Sequence, residues 1–91
     1  MKKGSAFVRL ASTVNLPEEP IPGRPLIEIL DNQRVLIENH HGVCEYADTI
    51  IRVRVKNGSV CVLGSNLELA RMTKGVLVIS GRIEAVQLHR G

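Results

Sequence analysis

Ninety-one residues leave room for one domain. The formal net charge of +3 and a sequence pI of about 9.2 come without any Lys/Arg cluster, so ordinary solubility explains them better than a dedicated nucleic-acid or membrane footprint. Apolar residues make up 44 % of the chain but aromatics only 2 %, namely Phe7 and Tyr46, which excludes an aromatic stacking platform and leaves Val, Ile and Leu to build the core. Those stiff aliphatic side chains suit a pleated sheet. A chain this short buries only about 60–65 % of its unfolded surface, and oligomerisation is one of the usual supplements.

Residues 1–25 read as an N-terminal arm. Arg9 interrupts the first apolar stretch, which is too short and polar for a signal or membrane span, so the expectation is a soluble, cytoplasmic protein. A short helix or strand is expected over Ala6–Asn15, with Phe7, Val8, Leu10 and Val14 as its apolar contacts. Pro17, Pro20, Pro22 and Pro25 follow, and prolines at that density make an extended linker.

From Leu26 to Gly91 the pattern changes to short apolar runs separated by turn residues, the pattern of successive strands. Leu26–Leu30, Val35–Glu38, Val43–Tyr46 and Ile50–Val55 come first, the last with Ile51, Val53 and Val55 alternating against Arg52 and Arg54. Asn57-Gly58 is the strongest hairpin signal, predicting a type I′ turn with two left-handed residues. Gly64-Ser65-Asn66 and Gly81 are expected to be further turns, dividing the remainder into Ser59–Leu63, Leu67–Met72, Val76–Ser80 and Ile83–Leu88. The fold class is therefore all-β, a small antiparallel meander of about eight short strands, sandwich- or barrel-like. Val60-x-Val62-x-Gly64 is echoed by Leu77-x-Ile79-x-Gly81, as two neighbouring hairpins of one sheet would give.

Chemistry finds little foothold. His40, His41 and Cys44, completed by Cys61, are the only zinc candidates, but adjacent histidines on an extended chain point to opposite faces, and no C-x-x-C or H-x-x-x-H pair exists. A turn with exposed imidazoles is the stronger reading. Both cysteines sit on apolar runs and are expected to be reduced, buried and inert. Carboxylates alternate with apolar residues as solvent-facing strand positions do, and no glycine falls in a phosphate-loop spacing. No catalytic residue, metal site or cofactor is expected. Arg52 and Arg54 would grip an acidic partner on one strand face, although a solvated face that discourages edge aggregation explains them more simply.

The run Ile37-Glu38-Asn39-His40-His41-Gly42-Val43-Cys44-Glu45-Tyr46 resembles the YabP/YqfC family of sporulation proteins, most of all its YqfC branch. The similarity continues through Ile51-Arg52-Val53, Gly58, Gly64-x-x-Leu67-x-Leu69 and Leu77-x-Ile79-x-Gly81-x-Ile83-x-x-Val86, and upstream through Leu16-Pro17-Glu18-Glu19. Asp31-Asn32 departs from the family's common Gly-Asn, and the arm is richer in proline. The resemblance implies a non-enzymatic β domain over residues 26–91, made in the mother cell and needed for spore development or coat assembly. It also implies self-association and an integral membrane partner, which would make the protein peripheral to a membrane. Glu38, Asn39, His40, Gly42, Glu45 and Tyr46, with Arg52 and Arg54, are then the candidate interaction residues, and Asn57, Gly58, Gly64 and Gly81 the structural turns. No nucleic acid and no small-molecule substrate are expected. The competing reading is a small nucleic-acid-binding β-barrel, favoured by the pI and the two arginines and disfavoured by the missing aromatics.

Overall fold

The computed structural model describes residues 23–90; the short helix or strand and most of the proline-rich arm lie outside the described residues. Six strands form one antiparallel sheet: β1 (Leu26–Leu30), β2 (Arg34–Glu38), β3 (Val43–Tyr46), β4 (Ile50–Val55), β5 (Gly58–Met72) and β6 (Val76–Arg90). Their spatial order is β1-β2-β6-β5-β4-β3, so the sheet is open, with β1 at one end and β3 at the other.

The strand count falls from about eight to six because Gly64 and Gly81 bend strands rather than end them. Both lie inside the fifteen-residue strands β5 and β6, where the ladder shifts register at Leu63/Gly64 and again between Ser65 and Glu68. At this crossing the two backbones come too close for side chains. A Cβ on Gly64 would sit 1.9 Å from the Arg82 carbonyl oxygen, and one on Gly81 would sit 2.5 Å from that of Asn66. Glycine is required here for close approach, which sequence punctuation alone does not distinguish from a turn.

Backbone amides displaced from the ladder by these bulges find carbonyls on neighbouring turns. Gly64 and Leu67 donate to Thr49 and Asp48 in the β3–β4 turn, at 3.1 and 2.9 Å. Gly81 and Ile83 donate to Gln33 and Asn32 in the β1–β2 turn, at 3.2 and 2.9 Å. The two halves of the molecule thus repeat one arrangement, a short hairpin paired to the first half of a long strand and capping its bend. That is the physical content of the Val60/Leu77 echo, which relates the two strands of one hairpin rather than two hairpins.

β2 pairs with the first half of β6, and β4 with the first half of β5, so the bends divide the sheet into two layers. Inward side chains from both layers make a single core: Val35, Ile37, Leu77 and Ile79 from one, Ile51, Val53, Val60 and Val62 from the other, with Leu67 and Ile83 at the bends. The sandwich-like alternative is the one realised, from one continuous sheet folded over.

Local backbone follows residue type. Asp31, Asn39, Asn57 and Asn66 are the non-glycine residues with positive φ among those described, and short polar side chains tolerate that region best. The β4–β5 hairpin forms as expected but one residue earlier. Val55 pairs with Gly58, so Lys56-Asn57 is the two-residue loop, and only Asn57, at φ 65°, is left-handed within it. A type I′ turn would need both.

Candidate interaction surface

Residues 38–46 are brought together mainly as a structural clasp. The chain leaves β2 and crosses from one layer to the other through Asn39-His40-His41-Gly42. Asn39, at φ 63°, donates its backbone N–H to Gly75 at 2.7 Å and its side-chain Nδ2 to the Arg24 carbonyl at 2.8 Å. The crossover is thereby tied both to the β5–β6 turn and to the chain's entry into β1.

His40 is turned inward and only 8 % exposed, which corrects the expectation of two exposed imidazoles. Its Nδ1 accepts the Gly42 N–H at 3.0 Å, which leaves the proton on Nε2 to be donated to the Thr73 carbonyl at 2.9 Å. Both ring nitrogens are therefore used within the fold. His41 faces solvent, and its backbone donates to Arg54 while Arg54 donates back to Gly42, each at 2.7 Å. Among the described residues no group of three or more His, Cys, Asp and Glu side chains gathers at one place.

Cys61 is buried, but Cys44 is exposed, against expectation, and both are free thiols. The register between β3 and β4 slips between Val43 and Glu45, leaving Cys44 in the irregularity with its thiol 3.6 Å from the Arg52 carbonyl. Cys61 pairs with Arg52 across one strand and with Gln87 across the other, on the outer face, and belongs to no part of the aliphatic core. Glu45 and Arg52 make the ion pair of this face, Nε to Oε1 at 3.0 Å, and that hydrogen bond pushes the guanidinium above its usual value. Arg54 shares the face in a row with Ser59 and His89. Glu38 is half-buried at the end of β2 and pairs with Leu26 and Val76, while Tyr46 ends β3 with 57 % of its surface exposed.

Three surface grooves, of about 510, 430 and 410 Å³, are lined by no carboxylate among the described residues. Most of the exposed apolar surface lies outside these grooves, Leu88 excepted. Leu26, Ile29 and Leu30 of β1 are all exposed, and so are Tyr46, Met72 and Leu88. β1 carries apolar side chains on both of its faces: Ile27 and Ile29 continue the inward rows of Ile37 and Val35, and Leu26 and Leu30 flank Glu28 on the other side. None of the candidate interaction residues lies on this strand. Its signal was present in the sequence, since Leu-Ile-Glu-Ile-Leu lacks the clean alternation of Ile50–Val55, and a strand apolar on both faces needs cover on both.

The clasp residues, the glycine bends and the inward aliphatic rows all lie within residues 23–91, the stretch matched by the model of the YabP family. The chain belongs to the YabP family. It is also similar to "Uncharacterized protein YqfC" of Bacillus subtilis (strain 168), 22 % identical over 78 residues, which cover 86 % of this chain and 84 % of that relative. No solved structure matches. Family membership implies a sporulation-related protein. Among the described residues no helix is long and apolar enough to cross a membrane.

Proposed function

We propose that this YabP-family chain is a non-enzymatic interaction module that associates with itself along β1 and supports spore development and coat assembly. The observation that carries the reading is the composition of that edge. Of the six large apolar side chains exposed in residues 23–90, three belong to the five-residue strand β1, whose outer edge has no neighbour among the described residues. An unpaired, two-faced apolar edge is the kind of surface that native proteins cover. Pairing β1 with β1 of a second copy across a two-fold axis would extend the sheet and bury Ile29 and Leu30 in the same step.

Two features argue for β1 over the other end of the sheet. β3 is only four residues long, its pairing with β4 is irregular, and it carries Glu45 and the exposed Cys44, so it is a poor template for another strand. β1 pairs with β2 through five residues without a break. The second partner in this reading, implied by the family, is an integral membrane protein of the mother cell.

Light scattering on the full chain at micromolar concentration tests self-association directly. The expected result is a mass of at least two chains, reduced to one chain by Ile29→Lys or Leu30→Lys. A single ten-kilodalton species of the wild-type chain would sink the proposal.

A further inference from the structure

Cations are unevenly distributed over the described residues. Five of the nine lysines and arginines in residues 23–90 line two adjoining grooves at one end of the molecule, around the β4–β5 turn and the end of β6. Arg24, Lys56 and Arg90 line the first, and Arg52, Arg54 and Arg90 the second; the grooves share Val55, Gly58, Ser59 and His89 as a common wall. Among the described residues neither contains an aspartate or glutamate. Only Glu45 among the described residues, on the margin, neutralises one of these charges, through Arg52.

The second observation is apolar. Leu88 lines the first groove with Pro25 and Ile27 and is 69 % exposed, the most exposed of the large apolar residues. Its register partner Val60 is buried, so Leu88 stands on the inward side of β6 but beyond the rim of the core. An apolar side chain projecting among basic groups would be poorly placed against an aqueous polyanion. It is well placed against a lipid surface, where the leucine enters the acyl boundary while the cations stay with the headgroups.

We propose that this end of the molecule, with Arg24, Lys56 and Arg90 beside Leu88 and with Arg52 and Arg54 on the adjoining outer face, is a docking surface for an anionic phospholipid membrane. It is separate from the β1 edge and does not rest on self-association. The β4–β5 turn and the end of β6 form the surface. Single-stranded nucleic acid is the poorer fit, because among the described residues neither groove contains Phe, Tyr or Trp, and the single His89 ring is a small platform for stacking. The cations attract the headgroups within about one Debye length, so attachment is reversible and responds to salt.

Co-sedimentation of the full chain with vesicles is the test, comparing phosphatidylcholine alone with phosphatidylcholine containing about 30 % phosphatidylserine. The expected result is binding to the anionic vesicles only, falling steeply as salt rises from about 0.05 to about 0.3 M. Arg54→Gln with Lys56→Gln should weaken it about thirtyfold, taking the usual worth of each cation at such a surface. Leu88→Ser should weaken it about tenfold without changing the salt dependence. Arg54 and Lys56 are exposed, so unchanged circular dichroism is expected of the double variant, and the wild-type salt curve tests the proposal whether or not that variant folds. Equal sedimentation with both vesicle types, or retention of a single-stranded oligonucleotide with no vesicle binding, would overturn it.

Discussion

Removing the His40 ring would leave the Gly42 N–H and the Thr73 carbonyl without their partners at the place where the chain changes layers. His40→Ala is expected to cost about 2 kcal/mol in urea unfolding, because buried groups left unpaired are expensive. His41→Ala, one residue on and exposed, should stay within about 0.5 kcal/mol of wild type. Equal effects would mean that the clasp contributes nothing. Gly64→Ala is the sharper steric case, since its Cβ would collide with the Arg82 carbonyl oxygen, and a loss of about 3 kcal/mol is expected by the same measurement. His40 and Gly64 were legible as special positions in the sequence, but their roles were not. The partner of the His40 ring is a backbone carbonyl 33 residues away, and nothing in residue types marks which carbonyl a fold will leave unpaired.

At the scale of elements, the first four strands were legible nearly residue for residue, because each is short and set between turn-prone residues such as Asn, Asp or Gly. The two long strands were not. A glycine that lets backbones approach and a glycine that lets a chain reverse look alike in a sequence; the difference lies in the strand alongside, here β6 against β5. The β4–β5 loop shows the same limit, since the Asn-Gly pair announced a hairpin while the register put Lys56-Asn57 at its centre. Asn57→Gly should therefore be nearly neutral, whereas Asn57→Val should cost about 1–2 kcal/mol, because a β-branched residue resists left-handed backbone. Thermal melts of the two variants would check this, and similar Tm values would contradict the turn assignment. The β1 edge makes its own prediction: Ile29→Lys should abolish self-association while leaving the monomer folded, since Ile29 is already 51 % exposed.

For the whole molecule, one aliphatic core shared by both layers predicts a single cooperative unfolding transition. Ile79→Ala, at the centre of the row Ile29-Val35-Ile79-Leu69, should lower stability by about 2–5 kcal/mol across both layers together. If self-association through β1 is coupled to folding, the wild-type Tm must rise with protein concentration, and that of Ile29→Lys must not. The most direct measurement is amide hydrogen exchange by mass spectrometry at two concentrations an order of magnitude apart on either side of the association midpoint. A peptide covering Leu26–Leu30 should gain protection in the concentrated sample while one covering Val43–Tyr46 stays unchanged. Protection gained at β3 instead, or none gained at either edge, would contradict the account.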